Sequence, residues 1–361
     1  MNEKYMHLAV QMARAAAGQT SPNPLVGAVI VKEGEVVGLG AHLKAGEKHA
    51  ERHALDMAGE KASGAEMYVT LEPCSHTGRT PPCADAIINA GIKKVYVASH
   101  DPNPQVAGQG IRKLEAAGIN VQKGILKKEA EELNYFFFHF IQTKTPYVTL
   151  KMAASIDGKT ATSQGESKWI TGEESRQDGH QLRHEHDAIL VGIETVLADN
   201  PSLTTRISGG GSNPLRIILD SKLRTPADAR LVTDKQSTWI FATEQCSKEK
   251  VRLLRSLGVK VTVLSGFSID IKEVLEKLGE AEITSLLVEG GGTVHDSFVT
   301  ENLFQRVVLY TAPILIGGRQ SPQSVAGNGI GKLSEAAVLQ LHSSVNIGSD
   351  VRQIFLRKDE N

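Results

Sequence analysis

The pattern of hydrophobic and polar positions predicts alternating helices and strands in two successive runs. Apolar residues at helical spacing indicate an amphipathic helix at 2–17, whereas the uninterrupted apolar run at 67–71 indicates a buried strand. The first run has predicted strands at 26–31, 36–40, 67–71, 94–98 and 120–124, and predicted helices at 2–17, 49–58, 84–90, 110–117 and 127–142. This alternation predicts an α/β/α domain in the first half of the chain.

The second run begins after residues 142–146, a polar stretch ending in proline that is typical of a linker. Its predicted strands are 147–153, 188–191, 216–220, 238–242, 259–264, 285–289, 306–312 and 351–356, and its predicted helices are 173–185, 247–257, 270–278 and a last one ending near 301. Repeated strand and helix units predict a second α/β domain with a largely parallel sheet. We therefore expect domains at 1–144 and 145–361.

Composition narrows the class of protein. The chain has 361 residues, enough for two or three domains, and its formal net charge of −1 gives no basic field that attracts nucleic acid. No apolar run approaches the ~20 residues of a membrane span, and the first residues lack the apolar core of a signal peptide. Three cysteines form no disulfide framework. We expect a cytoplasmic protein without nucleic-acid or membrane partners.

A candidate metal site lies in the stretch from His49 to Cys83. His49, Cys74 and Cys83 offer one imidazole and two thiols, which suit Zn²⁺, and three protein ligands leave the fourth position for water. Glu51 follows His49 by two positions, where a carboxylate can carry a proton from that water to a leaving amine. The stretch therefore predicts a catalytic zinc site.

The spacing of the two cysteines leaves the subfamily open at this point. H-x-E followed by P-C-x-x-C marks zinc base deaminases, but eight residues separate Cys74 from Cys83. The alternative is a surface histidine with two ordinary buried thiols. Two of the three cysteines fall behind H-x-E in one stretch, which favours zinc; the third, Cys246, is interpreted as an ordinary thiol.

A second candidate site follows the predicted strand 285–289, where Gly290-Gly291-Gly292-Thr293 leads into a helix. Free N–H groups at such a turn bind phosphate, but the sequence is not G-x-G-x-x-G, and a tight turn that needs small residues is nearly as good an interpretation. Polar and cationic residues gather at predicted strand ends in 152–162, 167–171 and 192–206, which favours an anionic ligand. Arg183 and Arg206 are candidate bidentate phosphate clamps, or else solvated surface charges.

The aromatic-rich segment 135–140 ends the last predicted helix of the first half. It can cover a substrate pocket, but aromatic residues chiefly supply buried area. We expect it to pack in the core or between the domains.

Motifs in both halves match one family pattern over almost the whole chain. The first half contains P-N-P-L-V-G-A-V-I-V, H-A-E, T-L-E-P-C-S-H-T-G-R-T-P-P-C and D-P-N-P. The second contains K-M-A-A-S-I-D-G-K, W-I-T-G, D-A-I-L-V-G-I-E-T-V-L-A-D-N-P-x-L and L-V-E-G-G. The chain thus resembles the bacterial bifunctional pyrimidine deaminase/reductase family of riboflavin biosynthesis, which shares the eight-residue gap.

The resemblance implies a cytidine-deaminase-like α/β/α domain followed by a dihydrofolate-reductase-like α/β domain. The first would use zinc-activated hydroxide to deaminate C2 of 2,5-diamino-6-ribosylamino-4(3H)-pyrimidinone 5′-phosphate. The second would use NADPH to reduce the ribosyl group, giving 5-amino-6-ribitylamino-uracil 5′-phosphate. The resemblance also implies a homo-oligomer that forms through the reductase domain.

Residue roles follow from the same resemblance. It implies zinc ligation by His49, Cys74 and Cys83, with Glu51 as proton shuttle. The implied cofactor contacts are Ala153, Trp169, Thr195, Asp199, Ser221, Gly291, Gly292, Thr293, Val294, His295, Asp296 and Ser297. The implied substrate contacts are Ser167, Arg183, Leu203, Arg206 and Glu289 in the reductase, and Asn23, His42, His76, Asp101 and Asn103 in the deaminase. Asp199 and Glu289 are both candidates for the proton donor in the reduction.

Two other functions compete with this interpretation. A deaminase of tRNA or free nucleosides predicts a basic RNA-binding surface and leaves the second half unexplained. A non-catalytic zinc-stabilised nucleotide sensor has no need of Glu51 beside an open metal position.

Overall fold

The computed structural model describes residues 3–75, 81–103 and 107–358. Its Cα atoms divide into two compact units, Met1–Lys144 and Thr145–Asn361. No helix in these described ranges is both long enough and apolar enough to cross a membrane.

The first unit is a five-stranded sheet between two layers of helices. Its strands are β1 (Gly27–Lys32), β2 (Glu35–Ala41), β3 (Glu66–Leu71), β4 (Lys94–Ser99) and β5 (Asn120–Lys123), in the order β2-β1-β3-β4-β5. Its helices are α1 (Glu3–Arg14), α2 (Ala50–Ala58), α3 (Cys83–Asn89), α4 (Gln109–Ala116), α5 (Lys127–Leu133) and α6 (Tyr135–Thr143). β1 is antiparallel to its neighbours, whereas β3, β4 and β5 run parallel.

Alternation along the strands creates two cores in this unit. Ile30 and Met67 point to one face and pack with α2, α3 and α4, while Val29 and Tyr68 point to the other face and pack with α1 and α5. Both faces of the central strands are therefore apolar, which explains why these strands appear in the sequence as continuous hydrophobic runs. The α/β/α prediction is confirmed.

The single helix predicted at 127–142 is wrong, because Asn134 divides it into α5 and α6. The backbone of Asn134 leaves the helical conformation, with φ −113° and ψ 21°. Its side chain is buried and forms hydrogen bonds with the backbone of Leu25. Its Oδ1 accepts from Leu25 N at 2.7 Å, and its Nδ2 donates to Leu25 O at 2.9 Å. The aromatic side chains of α6 are only half-buried, so the expectation of core packing fails; packing between the domains stays a prediction.

The second unit contains a nine-stranded sheet in the order β10-β9-β8-β7-β11-β6-β12-β14-β13. Its strands are β6 (Tyr147–Ser155), β7 (Ala188–Gly192), β8 (Leu215–Leu219), β9 (Thr238–Thr243), β10 (Lys260–Leu264), β11 (Ser285–Val288), β12 (Arg306–Ala312), β13 (Leu339–Ile347) and β14 (Asp350–Arg357). Its helices are α7 (Glu173–Glu185), α8 (Ile193–Asp199), α9 (Arg230–Thr233), α10 (Lys248–Ser256), α11 (Ile271–Glu280) and α12 (Gly292–Thr300). The strands run parallel from β10 to β12, and β14 is antiparallel to both of its neighbours, β12 and β13. The prediction of a largely parallel sheet is confirmed.

Three elements of this unit were not predicted from the sequence: α8, α9 and β13. The two helices are short, with seven and four residues, so they span too few turns for a periodic signal. β13 forms the edge of the sheet and is partly or fully exposed along its length. Its apolar residues Leu339, Leu341, Val345 and Ile347 do alternate with polar ones, but Ser343 and Ser344 interrupt the pattern.

Candidate active sites

The structure brings His49, Cys74 and Cys83 together in the first unit, with their ligand atoms within 4.8 Å of one another. Nδ1 of His49 lies 3.6 Å from Sγ of Cys74 and 3.4 Å from Sγ of Cys83. Bonds of about 2.3 Å to sulfur and about 2.0 Å to nitrogen at tetrahedral angles separate such atoms by about 3.5 Å. The three side chains therefore fit a tetrahedral zinc ion.

Two of these three ligands lie at helix N-termini. His49 is the N-cap residue of α2, and Cys83 is the first residue of α3 after Pro82. The N–H of Cys83 donates to Sγ of Cys74 at 3.3 Å, and the N–H of Ala84 donates to the Cys74 carbonyl at 3.1 Å. These bonds join the segment after β3 to the start of α3 and favour a thiolate at Cys74.

The two thiols differ in proton affinity. The hydrogen bond from Cys83 outweighs burial and, with one from His49, lowers the pKa of Cys74 to about 4. The same contact with Cys74, together with burial, raises the pKa of Cys83. The pair therefore shares one proton, which must leave when a metal takes both sulfurs as thiolates.

Glu51 lies in the first turn of α2 with 3% of its surface exposed. Burial, reinforced by the charge of Cys74, raises the pKa of Glu51 to about 7. A carboxyl group with this pKa can both accept and release a proton near neutral pH, as a shuttle requires.

Two of the residues assigned to the deaminase pocket lie beside this cluster. The rings of His42 and His49 meet edge to face with centroids 5.3 Å apart. Nδ2 of Asn23 lies 3.1 Å from Nε2 of His42, whose Nδ1 lies 3.1 Å from the Lys48 carbonyl. His42 thus donates to Lys48 and accepts from Asn23, so both of its ring nitrogens are occupied within the protein.

The other pocket assignments lie after β4 or outside the described structure. Asp101 and Asn103 are in the loop that leaves β4, where Oδ1 of Asp101 accepts from the N–H of Asn103 at 2.8 Å. His76 lies outside the described residues. The same loop contacts Glu72, which sequence reasoning missed although it belongs to the T-L-E-P-C motif.

The second unit contains a cavity of about 560 Å³ beside β6 and α7. Of the residues assigned to cofactor or substrate, it is lined by Ala153, Ser167, Trp169, Arg183, Arg206 and Glu289. The remaining lining residues were not singled out from the sequence: Lys151, Thr160, Ile170, Thr171, Glu173, Arg176, Gln177, Gly179 and His180. Lys151 is the first residue of the K-M-A-A-S-I-D-G-K motif, so that motif could have identified it as a site residue.

Arg183 and Glu289 form a bidentate ion pair at this cavity. Nε and Nη2 of Arg183 each lie 2.8 Å from a carboxylate oxygen of Glu289, and Nη1 donates to the Thr204 carbonyl at 3.1 Å. Burial alone would raise the pKa of Glu289, but Arg183 and then Lys151 lower it to about 2. The expectation that Arg183 offers a bidentate fork to phosphate is therefore wrong for this arrangement, because Glu289 already occupies the fork.

Arg206 has a different partner in the cavity. Its Nε lies 3.3 Å from Nε2 of His180, which is 9% exposed. Burial, together with the nearby Arg183 and Arg206 charges, lowers the pKa of His180 to about 4, so the ring is neutral and accepts from Arg206. Because this bond uses only Nε, the outer edge of the Arg206 guanidinium, formed by Nη1 and Nη2, faces away from His180.

Most of the assigned cofactor contacts lie at one edge of the sheet, not in the cavity. Thr195 and Asp199 are on α8 after β7, Ser221 follows β8, and residues 291–297 follow β11. β8, β7 and β11 are parallel neighbours, so these residues share the edge where open α/β sheets bind ligands.

Some of these assigned residues also make close contacts within the protein. The Nδ1 of His295 lies 2.9 Å from the Ser324 carbonyl, and a Cβ at Gly292 would lie 2.5 Å from the Gln323 carbonyl. Gly292 is therefore needed for close packing, in line with the tight-turn alternative. Leu203, which was assigned to the substrate, is 5% exposed and its side chain belongs to the hydrophobic core, so a contact with substrate would have to come from its backbone.

Comparison with known proteins accounts for both units. A model of the cytidine and deoxycytidylate deaminase zinc-binding region matches residues 1–99, and a model of the RibD C-terminal domain matches residues 146–352. The riboflavin biosynthesis protein RibD of Bacillus amyloliquefaciens is 52% identical over 360 residues, covering 99% of this chain and 97% of that protein. The chain belongs to the RibD family.

Solved structures of RibD proteins share the whole fold. Acinetobacter baumannii RibD superposes with a TM-score of 0.91 at 37% identity, covering 99% of both chains. The diaminohydroxyphosphoribosylaminopyrimidine deaminase/5-amino-6-(5-phosphoribosylamino)uracil reductase of Thermotoga maritima has a TM-score of 0.86 at 35% identity, covering 99% of this chain and 98% of that one.

Membership of the RibD family decides between the competing functions. The chain is a bifunctional enzyme of riboflavin biosynthesis that combines a zinc-binding deaminase domain with a reductase domain, and the latter implies a nicotinamide cofactor. A deaminase of tRNA or free nucleosides would leave the match at 146–352 unexplained.

Proposed function

We propose that residues 1–144 are the zinc-dependent deaminase domain and that His49, Cys74 and Cys83 hold one zinc ion. The cluster of these ligand atoms within 4.8 Å, with buried Glu51 beside it, is the observation that carries the proposal. Bound zinc supplies a Lewis acid that makes water nucleophilic at neutral pH. Two thiolate ligands need a reducing compartment, which favours the cytoplasm.

In this site Glu51 moves the protons of the deamination. It accepts a proton from the attacking water and delivers it to the ring nitrogen next to C2 of the diaminopyrimidine ribotide. It then takes the remaining proton of the hydroxyl group added at C2 and gives it to the amine, which leaves as ammonia as the C2 carbonyl forms. The raised pKa of Glu51, about 7, suits both halves of this transfer. Asn23, His42, Asp101 and Asn103 form the pyrimidine pocket, in which His42 orients the amide of Asn23, and the assignment of His76 stays a prediction.

Residues 145–361 form the reductase domain, which uses NADPH as the hydride source for C1′ of the opened ribosyl group. Cofactor contacts come from Ala153, Trp169, Thr195, Asp199, Ser221 and residues 291–297, and substrate contacts from Ser167, Arg183, Leu203, Arg206 and Glu289. Arg206 binds the substrate phosphate with the outer edge of its guanidinium, while Arg183 keeps Glu289 ionised.

Lys151 supplies the proton for this reduction. Glu289 is held as a carboxylate by Arg183, and Asp199 lies outside the cavity, 3.9 Å from Lys168. Both are therefore poorer donors than the ammonium of Lys151, which lines the cavity.

The reductase domain also provides the surface for a homo-oligomer. β13 ends the sheet, and Leu341 and Val345 on it are 51% and 41% exposed. Exposed apolar groups on an edge strand favour pairing with a second copy. Light scattering at several concentrations tests this, and a chain that remains monomeric throughout contradicts it.

One assay tests both chemical proposals. The enzyme receives the diaminopyrimidine ribotide with NADPH or NADH, while ammonia and cofactor oxidation are followed together. We expect Glu51→Gln to keep its zinc and lose ammonia release. We expect Lys151→Met and Lys151→Arg both to release ammonia normally but to oxidise cofactor far more slowly than the wild type, because a guanidinium keeps the charge but does not give up a proton. Ammonia release by Glu51→Gln rejects the shuttle, and normal oxidation by Lys151→Met rejects the proton donor.

A further inference from the structure

Glu72 is a buried carboxylate that the proposed chemistry does not use. It lies between the end of β3 and the zinc ligand Cys74, and its side chain has no exposed surface. A buried charge is costly unless several donors satisfy it. Its contacts therefore indicate what the residue does.

The two oxygens of Glu72 accept from two different parts of the chain. Oε1 accepts from the N–H of Gly110 at 3.1 Å and of Ile111 at 3.3 Å, both in the first turn of α4. Oε2 accepts from the N–H of Gly108 at 3.0 Å and of Asp101 at 3.4 Å, and lies 3.3 Å from Nδ1 of His100. One carboxylate thus binds the start of α4 and the loop after β4 together.

A second contact fixes the same junction independently of charge. A Cβ at Gly110 would lie 1.9 Å from the Pro73 carbonyl oxygen, so α4 packs directly on the backbone between Glu72 and Cys74. The N–H of Glu72 also donates to the Ser99 carbonyl at 2.9 Å, at the end of β4. The segment that carries a zinc ligand is therefore tied both to the start of the loop after β4 and to Gly108, just before α4.

We propose that Glu72 is a positioning residue that sets the substrate-facing loop, with Asp101 and Asn103, in register with the zinc ligand Cys74. This inference rests on the proposed function, which assigns Asp101 and Asn103 to the pyrimidine pocket. A misplaced loop weakens substrate binding, whereas the zinc site itself does not depend on the carboxylate. The role predicts a change in KM and leaves zinc content and kcat in place.

The test compares Glu72→Gln with Glu66→Gln, a matched control at the other end of β3. Glutamine keeps the size of Glu72 but turns an –NH₂ group toward N–H donors that need an acceptor. We expect the deaminase KM of Glu72→Gln to rise about tenfold, the effect of one lost charged hydrogen bond. Its kcat, zinc content and reductase activity should match the wild type, as should every property of Glu66→Gln.

A double-mutant cycle with Asn103→Ala separates positioning from a general structural role. If Glu72 acts through the loop, Asn103→Ala adds little to the KM of Glu72→Gln, so the two effects are not additive. Additive effects, an unchanged KM, or loss of zinc in Glu72→Gln each reject the proposal. If Asn103→Ala alone leaves KM unchanged, the pocket assignment in the proposed function is wrong instead.

Gly110→Ala tests the same junction from the helix side if Glu72→Gln does not fold. The added Cβ must displace α4 from Pro73, so the KM of the deaminase should rise while the reductase is unaffected. If neither variant yields folded enzyme with normal reductase activity, Glu72 is a structural residue and the proposal is rejected.

Discussion

The zinc cluster and the reductase cavity differ in how much of the chain each one needs. His49 and Cys83 are 34 positions apart, whereas Arg183 and Glu289 are 106 apart. A metal ion accepts few residue types and imposes fixed distances, so a short motif is enough to identify its site. The cavity instead depends on sheet order, which brings β11 next to β6.

The two sites also differ in the charge of the groups that form them. The zinc cluster gathers groups that lose protons to hold a cation. The cavity gathers Lys151, Arg176 and Arg206 around the Arg183–Glu289 pair, and so suits an anionic ligand. If this contrast is correct, changes at one site should leave the other activity intact.

Removal of a zinc ligand should have the largest effect. Cys83→Ser replaces a thiolate ligand with a hydroxyl that stays protonated at neutral pH, so we expect loss of bound zinc and of detectable ammonia release. Reductase activity with the deaminated intermediate should be unchanged. Metal analysis and the two separate assays measure these outcomes.

Cys246 provides the matched control for this experiment. It is the third cysteine and lies in the second unit, so Cys246→Ser should retain zinc and both activities. Full zinc content in Cys83→Ser would contradict the proposed zinc site, because the metal would then not depend on the predicted ligands.

Breaking the Arg183–Glu289 pair should have the next largest effect, confined to the second unit. The side chains are only 16% and 8% exposed, so Arg183→Met leaves a buried carboxylate without its partner. We expect the free energy of unfolding of this unit to fall by about 3–5 kcal/mol, with loss of reductase activity. Chemical denaturation monitored by the fluorescence of Trp169 and Trp239, which both lie in the second unit, measures the stability, and a separate assay measures the reductase activity.

The double variant Arg183→Met/Glu289→Leu removes both charges and is the control. It should recover most of the stability, because no unpaired charge remains, but not the reductase activity. Equal stability of Arg183→Met and wild type would show that solvent reaches the pair and would remove the argument for an ionised Glu289.

The outcome at particular residues shows what the sequence can predict. His49, Glu51, Cys74 and Cys83 were identified from residue type and spacing, because ligand chemistry limits the choices. Glu72 has no such restriction: its function depends on N–H groups of α4 and of the loop after β4, which only the fold brings to it. His180 was missed for the same reason, since its partner Arg206 is 26 positions away.

The secondary-structure predictions also succeeded where the cause is local and failed where it lies far away in the sequence. Continuous apolar runs such as β3 and β7 were predicted because they are buried on both faces. The break at Asn134 was missed because its cause lies 109 positions away, at the backbone of Leu25. The resemblance implied roles for reductase residues that spacing alone left open, and these roles stay predictions. It did not show that Glu289 occupies the fork of Arg183.

The smallest predicted effect is on the stability of the second unit in acid, and it comes from His186, which belongs to neither site. His186 is 3% exposed, with Nδ1 2.7 Å from the Leu182 carbonyl and Nε2 3.0 Å from Oγ1 of Thr149. Burial lowers the pKa of His186 from an ordinary 6.5 to about 3. The folded state therefore keeps the ring neutral, while the unfolded state protonates it below pH 6.5.

The sign of the pH dependence follows directly. The stabilisation from neutral His186 is complete above pH 6.5 and is lost as pH falls toward 3, because unfolding then takes up a proton. His186→Gln cannot take up this proton, so its stability relative to wild type should rise by up to about 1.4 kcal/mol per pH unit below 6.5. Chemical denaturation between pH 7 and pH 5, followed by reductase activity, measures the difference, with His342→Gln as the exposed control. Parallel pH profiles for wild type and His186→Gln would mean that His186 is protonated in the folded unit, and burial would not be what sets its pKa.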